Sequence, residues 1–189
     1  MAEFTLTPAA TLGGAEQVEE HCRAWEVNPV AIASMAARRG AISALRESFS
    51  AAFGGALPDI GLRQEYSGMA IASAGYEQWF ATSESELTLA ENLRDACSGN
   101  AVITDQSGGW SEIRLQGEGA RETLARLCPI DLHPEVFIVG SAQRTVMEHL
   151  GVQLALVDDR PTFSLLTPSS SAPSFWTALT HAMASTRPA

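Results

Sequence analysis

The sequence predicts an α+β protein with largely antiparallel sheets and helices packed on one face. Three observations predict it: short runs with period-two alternation, a smaller number of 3.6-period runs, and glycine or proline punctuation between almost every pair. At 189 residues the chain can bury a sizeable core. With 46% hydrophobic and 18% charged residues it reads as globular, with a surface somewhat poor in charge.

Residues 1 to 28 hold Pro8, Gly13-Gly14 and the acidic run Glu16 to Glu20, with few large apolar residues, and read as a tail that a partner would order. From residue 29 to 189 the texture is that of a domain, in two fused halves at about 29–100 and 101–185. Val30 to Ala36 alternates large and small residues, which predicts a strand. After Gly40, the residues Ile42, Leu45, Phe49 and Phe53 follow helical spacing until Gly54-Gly55 stops the run. LRQEYSGMAIAS and YEQWFATS read as two strands separated by Ala74-Gly75. Ser83 opens Ser-Glu-Ser-Glu, a capping signature ahead of the helical ELTLAENLRDAC, which Gly99-Asn100 ends.

AVITDQ is the next strand, Ser107-Gly108-Gly109 a tight turn, and WSEIRLQG a strand whose apolar side is expected to carry Trp110, Ile113 and Leu115. Gly117-Glu118-Gly119 opens the helix ARETLARLC, which Pro129 terminates. Gln143 to His149 and Gly151 to Val157 read as strands hinged at Gly151, and Arg160 to Thr167 as another. Ser169 to Ser171 lead into a last helix carrying Phe175, Leu179 and Met183. The order β-α-β-β-α-β followed by β-α-β-β-β-α describes two split β-α-β units in tandem, a ferredoxin-like arrangement.

Composition excludes several function classes. The net charge of −10 comes from 22 acids against 12 bases, all of them Arg, so the chain repels nucleic-acid backbones and anionic lipid headgroups. Without Lys there is no Schiff-base lysine, P-loop lysine or Ser-Lys dyad. Cys22, Cys97 and Cys128 lack ligand or CxxC spacing and read as reduced cytoplasmic thiols. No window suits a membrane span or a secretory leader.

No chemistry-bearing motif stands out. His21, His133, His149 and His181 are never paired at helical spacing, which argues against zinc. Asp158-Asp159 before Arg160-Pro161 reads as a turn, and Gly117-Glu118-Gly119 lacks the third glycine of a dinucleotide fingerprint. Trp79 is expected in the core; Trp110, just after a turn, is the candidate interface residue.

DQSGGWSEIRLQGEGARETLARLCPIDLHPEVF, with VAIASMAARRG, Leu57-Pro58 and YEQWFATS before it, resembles the gamma subunit of heterotetrameric sarcosine oxidase over roughly residues 29 to 182. The central block is similar, more distantly, to the amino-terminal part of the glycine-cleavage aminomethyltransferase, a folate enzyme. Asp105 and Ser107 match that enzyme's Asp-x-Ser-His motif, with Gly108 where the His stands. Asp131 matches its functional aspartate and is the folate-type candidate.

The resemblance implies an aminomethyltransferase-like fold and a folate pocket truncated where this chain ends. It also implies a noncatalytic, cytoplasmic subunit bound to alpha, beta and delta subunits. Those subunits would hold FAD, FMN, NAD, zinc and tetrahydrofolate, leaving no cofactor, metal or catalytic residue in this chain. The implied complex demethylates sarcosine oxidatively to glycine. A related N-methyl amino acid oxidoreductase, such as N-methylglutamate dehydrogenase, and a stand-alone folate-dependent transferase acting through Asp131 are the alternatives.

Overall fold

The computed structural model describes residues 9–28, 30–66, 68–97 and 99–186. Among these residues eleven strands form two antiparallel sheets. The first contains β3 (Ala31–Ala37), β4 (Arg63–Tyr66), β5 (Met69–Gly75), β6 (Gln78–Ser83) and β7 (Ala101–Asp105), in the spatial order β4-β5-β6-β3-β7. The second contains β1 (Glu16–Val18), β2 (Arg23–Glu26), β8 (Trp110–Gln116), β9 (Ala142–Met147), β10 (Leu150–Asp158) and β11 (Thr162–Pro168), in the order β1-β2-β8-β11-β10-β9.

Helices α1 (Ile42–Phe53) and α2 (Leu89–Ala96) cover the five-stranded sheet. Their buried Leu45, Phe49, Leu89 and Leu93 pack with Met35, Ile71, Trp79 and Ala81 from its strands. Helices α3 (Ala120–Ala125) and α4 (Ala172–Ser185) cover the six-stranded sheet. There Leu124, Phe175, Leu179 and Met183 meet Ile113, Leu115, Leu154, Phe163 and Leu165. Each fully buried Leu or Phe of this kind contributes about 1.5–3 kcal/mol.

The uncovered faces of the two sheets pack on each other through a thin seam. Ile32, Phe80 and Leu166 form one small cluster there, and Ala72, Ala142 and Ala155 another. The layers therefore run helix, sheet, sheet, helix, as the α+β expectation with helices on one face of each sheet requires.

The local signals held where periodicity was strong. Gly54 ends α1 in the left-handed conformation and returns its N–H to the Ser50 carbonyl. The Ser83 hydroxyl accepts the Glu86 N–H at 2.8 Å, an N-terminal cap that precedes α2 by an extra turn.

Five expectations are corrected. First, the segment read as a tail supplies β1 and β2. Ala24 pairs with Leu115, and Cys22 and Ala24 join the core. Residues 1 to 8 lie outside the described residues. The reason is topological: the five-stranded sheet has the split β-α-β order β5-β6-β3-β7, with β7 in the fourth slot. In the six-stranded sheet the matching slot beside β8 is filled by β2, because α4 is followed by no strand among the described residues.

Second, the boundary between halves falls at Asp105 to Gly109 rather than near residue 100. The short link after α2 returns β7 to the sheet that α2 covers, where it pairs with β3. Third, LRQEYSGMAIAS is two strands. They turn around Gly68, whose φ of 80° suits glycine, and pair Tyr66 with Met69. Fourth, the β9–β10 hairpin turns at Glu148-His149, both at positive φ, and not at Gly151. Fifth, Trp110 lies on the opposite face of β8 from Ile113 and Leu115. It packs against Phe80, with centroids 4.6 Å apart, because successive strand residues point to opposite faces and both faces of β8 are covered.

Candidate functional site

The seam between the sheets holds the molecule's main concentration of buried charge. On β8, Glu112 and Arg114 share the face that carries Trp110. Glu112 is fully buried. Its Oε1 accepts the Ser164 hydroxyl at 2.6 Å and lies 2.7 Å from Arg114 Nε, while its Oε2 has no hydrogen-bond partner. The Arg114 contact is an ion pair by distance whose N–H is not aligned for a hydrogen bond. Arg114 also reaches across the seam to Glu84, 3.5 Å away beyond the end of β6.

Two further polar side chains enter from either side. Gln153 on β10 donates its Nε2 to the Ser73 carbonyl of β5 at 2.9 Å and leaves its Oε1 unpartnered. Arg63 on β4 is buried and donates to Glu65 Oε1 at 2.7 Å.

Together these residues bound a cleft. Its mouth, about 200 Å³, is lined by Arg63, Arg114, Tyr66, Met69, Thr82 and Ser85, among others. A recess of about 10 Å³ shares Arg63, Ala70 and Thr82 with the mouth and runs in to Gln153 and Ser164. The recess is of the size that admits a single water. The cleft can hold charge and donate hydrogen bonds, and its lining residues include no histidine or cysteine.

Sequence reasoning missed Arg63, Glu112, Arg114 and Gln153. A strand that alternates Ile113 and Leu115 with Glu112 and Arg114 normally turns its charges to water. Here a second sheet covers that face.

The residues singled out from the sequence lie elsewhere. Asp131 is exposed; its Oδ1 accepts the His133 N–H at 2.9 Å, so it caps a turn and lines none of the cavities described. Trp110 is half buried in the seam, with the Arg144 guanidinium carbon 5.9 Å from its ring centroid. Trp79 is buried as expected, its indole N–H donated to the Pro58 carbonyl at 2.8 Å.

Asp105 and Ser107 serve as a structural clasp. The Ser107 hydroxyl donates to Asp105 Oδ1 at 2.7 Å and accepts the Ile32 N–H at 3.0 Å. This fixes the link from β7 to β8, the crossing point between sheets, against β3. Gly108 adds no side chain to it.

Asp158 accepts the backbone N–H groups of Arg160 and Thr162, each at 3.0 Å, as a turn residue should. Burial raises its pKa, but hydrogen bonds from Thr162 and Arg160 and the Arg160 charge outweigh that and hold it below its ordinary value. The three cysteines are buried, and burial pushes each thiol up, away from reactivity. The histidines are dispersed, and no group of three His, Cys, Asp or Glu converges on a metal position among the described residues. No helix is long and apolar enough to cross a membrane among the described residues.

No family model matches the chain. Over 91 residues it is 30% identical to the sarcosine oxidase subunit gamma of Corynebacterium sp. (strain U-96), an alignment spanning 48% of this chain and 44% of that relative. In structure it is similar to a chain of the heterotetrameric sarcosine oxidase from Corynebacterium sp. U-96, with a TM-score of 0.79 and 26% identity over 90% of this chain and 88% of that one. The aminomethyltransferase T of the glycine cleavage system from Bartonella henselae superposes with a TM-score of 0.65 at 12% identity, over 84% of this chain and 45% of that one. That last likeness is one of fold alone. The chain thus resembles the sarcosine oxidase gamma subunit in sequence and a chain of heterotetrameric sarcosine oxidase in structure, on an aminomethyltransferase-like fold.

Proposed function

We propose that this chain is the gamma-type subunit of a heterotetrameric sarcosine oxidase and works as an assembly scaffold without an active site of its own. The observation that carries the reading is the structural match over nine-tenths of the chain, at 26% identity. On this reading the complex demethylates sarcosine to glycine with oxygen and tetrahydrofolate, giving hydrogen peroxide and methylenetetrahydrofolate. Alpha, beta and delta subunits hold FAD, FMN, NAD, zinc and the folate, and the assembly is cytoplasmic. A complex acting on another N-methyl amino acid, such as N-methylglutamate, places the same demands on this subunit.

A surface suited to assembly supports the proposal. Leu62 bridges to Ser141, which brings the 133–141 loop beside residues 59–62. Ile60, Leu62, Val136, Ile138 and Val139 are all exposed on these two segments. Apolar side chains gathered on a soluble surface mark sites of association.

Co-expression with alpha, beta and delta subunits of a sarcosine oxidase, followed by size-exclusion chromatography, tests the proposal. Co-elution in one complex that turns over sarcosine is the expected result. A chain that stays monomeric beside those subunits refutes it.

A further inference from the structure

We infer that the cleft between the two sheets binds a small carboxylate carrying a hydroxyl or amino donor, gripped by Arg63 and Arg114. The first argument is an imbalance of hydrogen bonds. Both arginines line the mouth, with side chains only 7% and 12% exposed. A guanidinium carries five N–H donors, and burying it is costly unless they are used. Among the described residues, Arg63 donates from its side chain to Glu65 alone. Arg114 makes one long bond to Glu84 and an unaligned contact with Glu112.

The carboxylates now beside them are loosely held. Glu65 and Glu84 are 62% and 64% exposed, so water solvates them and either can swing away. Glu112 cannot leave, and its Oε1, which also accepts from Ser164, stays against Arg114 Nε, so a ligand meets the other edge of that guanidinium. The other N–H groups of these two guanidiniums, which line the same cavity, have no protein acceptor among the described residues, and the planar fork is the geometry that matches a carboxylate.

Size and the inner wall narrow the class. A cavity near 200 Å³ lies below the ~300 Å³ at which pockets begin to take drug-sized molecules. Beyond the mouth, the recess ends at Gln153, 2% exposed, whose unpartnered Oε1 can only accept a hydrogen bond. A carboxylate at the arginines with a donor toward the recess, directly or through one water, satisfies both ends. Met69 and Ala70 give the short carbon skeleton an apolar wall.

The full chain, titrated with L-lactate, propionate and neutral lactamide while the arginine Nε–H signals are followed by NMR, tests the site. Lactate is expected to shift the Arg63 and Arg114 signals saturably, propionate to bind more weakly, and lactamide to leave both signals in place. Arg63→Gln should abolish the response. Absence of any shift with lactate overturns the site, as does a lactamide response equal to lactate or binding that survives Arg63→Gln. Equal binding of propionate overturns the role of Gln153. Should Arg63→Gln fail to fold, Arg63→Lys keeps the charge without the fork. A loss of about tenfold in affinity then supports the site, and unchanged affinity overturns it. The inference stands apart from the assembly reading: a chain that binds lactate but joins no partner refutes only the latter.

Discussion

At the residue scale, Gly117 shows how much can hang on one missing side chain. The motif Gly117-Glu118-Gly119 was expected to open a helix, and α3 does begin at Ala120. The need for glycine at the first position has another cause. Gly117 sits at φ 129°, and a Cβ there would collide with the His21 carbonyl and the Cys22 backbone. Gly117→Ala should therefore cost about 3 kcal/mol, a value typical of combined strain and overlap, and lower the denaturation midpoint accordingly. A midpoint within error of the parent would show that β2 gives way freely. Asp158 makes a second residue-scale prediction, with a definite sign. Its folded pKa is depressed, so its stabilisation is complete above the unfolded value near 4 and is lost as pH falls through the folded pKa. Asp158→Asn should cost on the order of 1 kcal/mol at neutral pH, and the gap to the parent should close in acid. A gap that widens in acid would contradict the assigned sign.

At the element scale, the β9–β10 hairpin offers a gain rather than a loss. Glu148 and His149 lie at φ 46° and 67°, the pair of positive values that a two-residue type I′ turn demands. Non-glycine residues pay roughly 1–2 kcal/mol each in that region. Replacing the pair by Asn-Gly should stabilise the chain by about 1–2 kcal/mol, read as a raised urea midpoint. An unchanged midpoint would mean that other contacts relieve the strain. The same turn shows where sequence reading stops. The two flanking strands were legible from their alternation, but Gly151 was the more conspicuous turn former, and nothing local says that Glu-His takes the corner. Helices α1 and α4 were legible because Leu45 and Phe49, or Phe175, Leu179 and Met183, repeat at helical spacing and face one core. β1 and β2, three and four residues long, carry too short a pattern to be read. Their existence follows from an open slot beside β8, which only the assembled sheet displays. The candidate cleft was hidden for the same reason, since a second sheet must be in place before Glu112 and Arg114 become buried.

At the scale of the whole molecule, the sheets depend on the chain's first described segment. β2 closes one side of β8 with a ladder from Arg23↔Gln116 to Glu26↔Ile113, and Cys22 and Ala24 complete the core below it. Its hold extends outward, because the buried Glu26 carboxylate accepts the Leu12 N–H at 2.9 Å and the Gly14 N–H at 2.8 Å. The acidic segment that looked loose by composition is thus bound on one side by a ladder and on the other by a capped turn. Removing residues 1–28 would open β8 as a bare edge, with unpaired N–H and C=O groups above exposed core. Such an edge recruits other strands. The truncated chain should therefore self-associate and melt at lower temperature, which light scattering after size-exclusion chromatography and a thermal scan would report. If it were instead a monomer as stable as the parent, β2 would be an ornament on the six-stranded sheet. The core contacts of Cys22 and Ala24 argue that it is the fourth strand of that unit, supplied from the start of the chain.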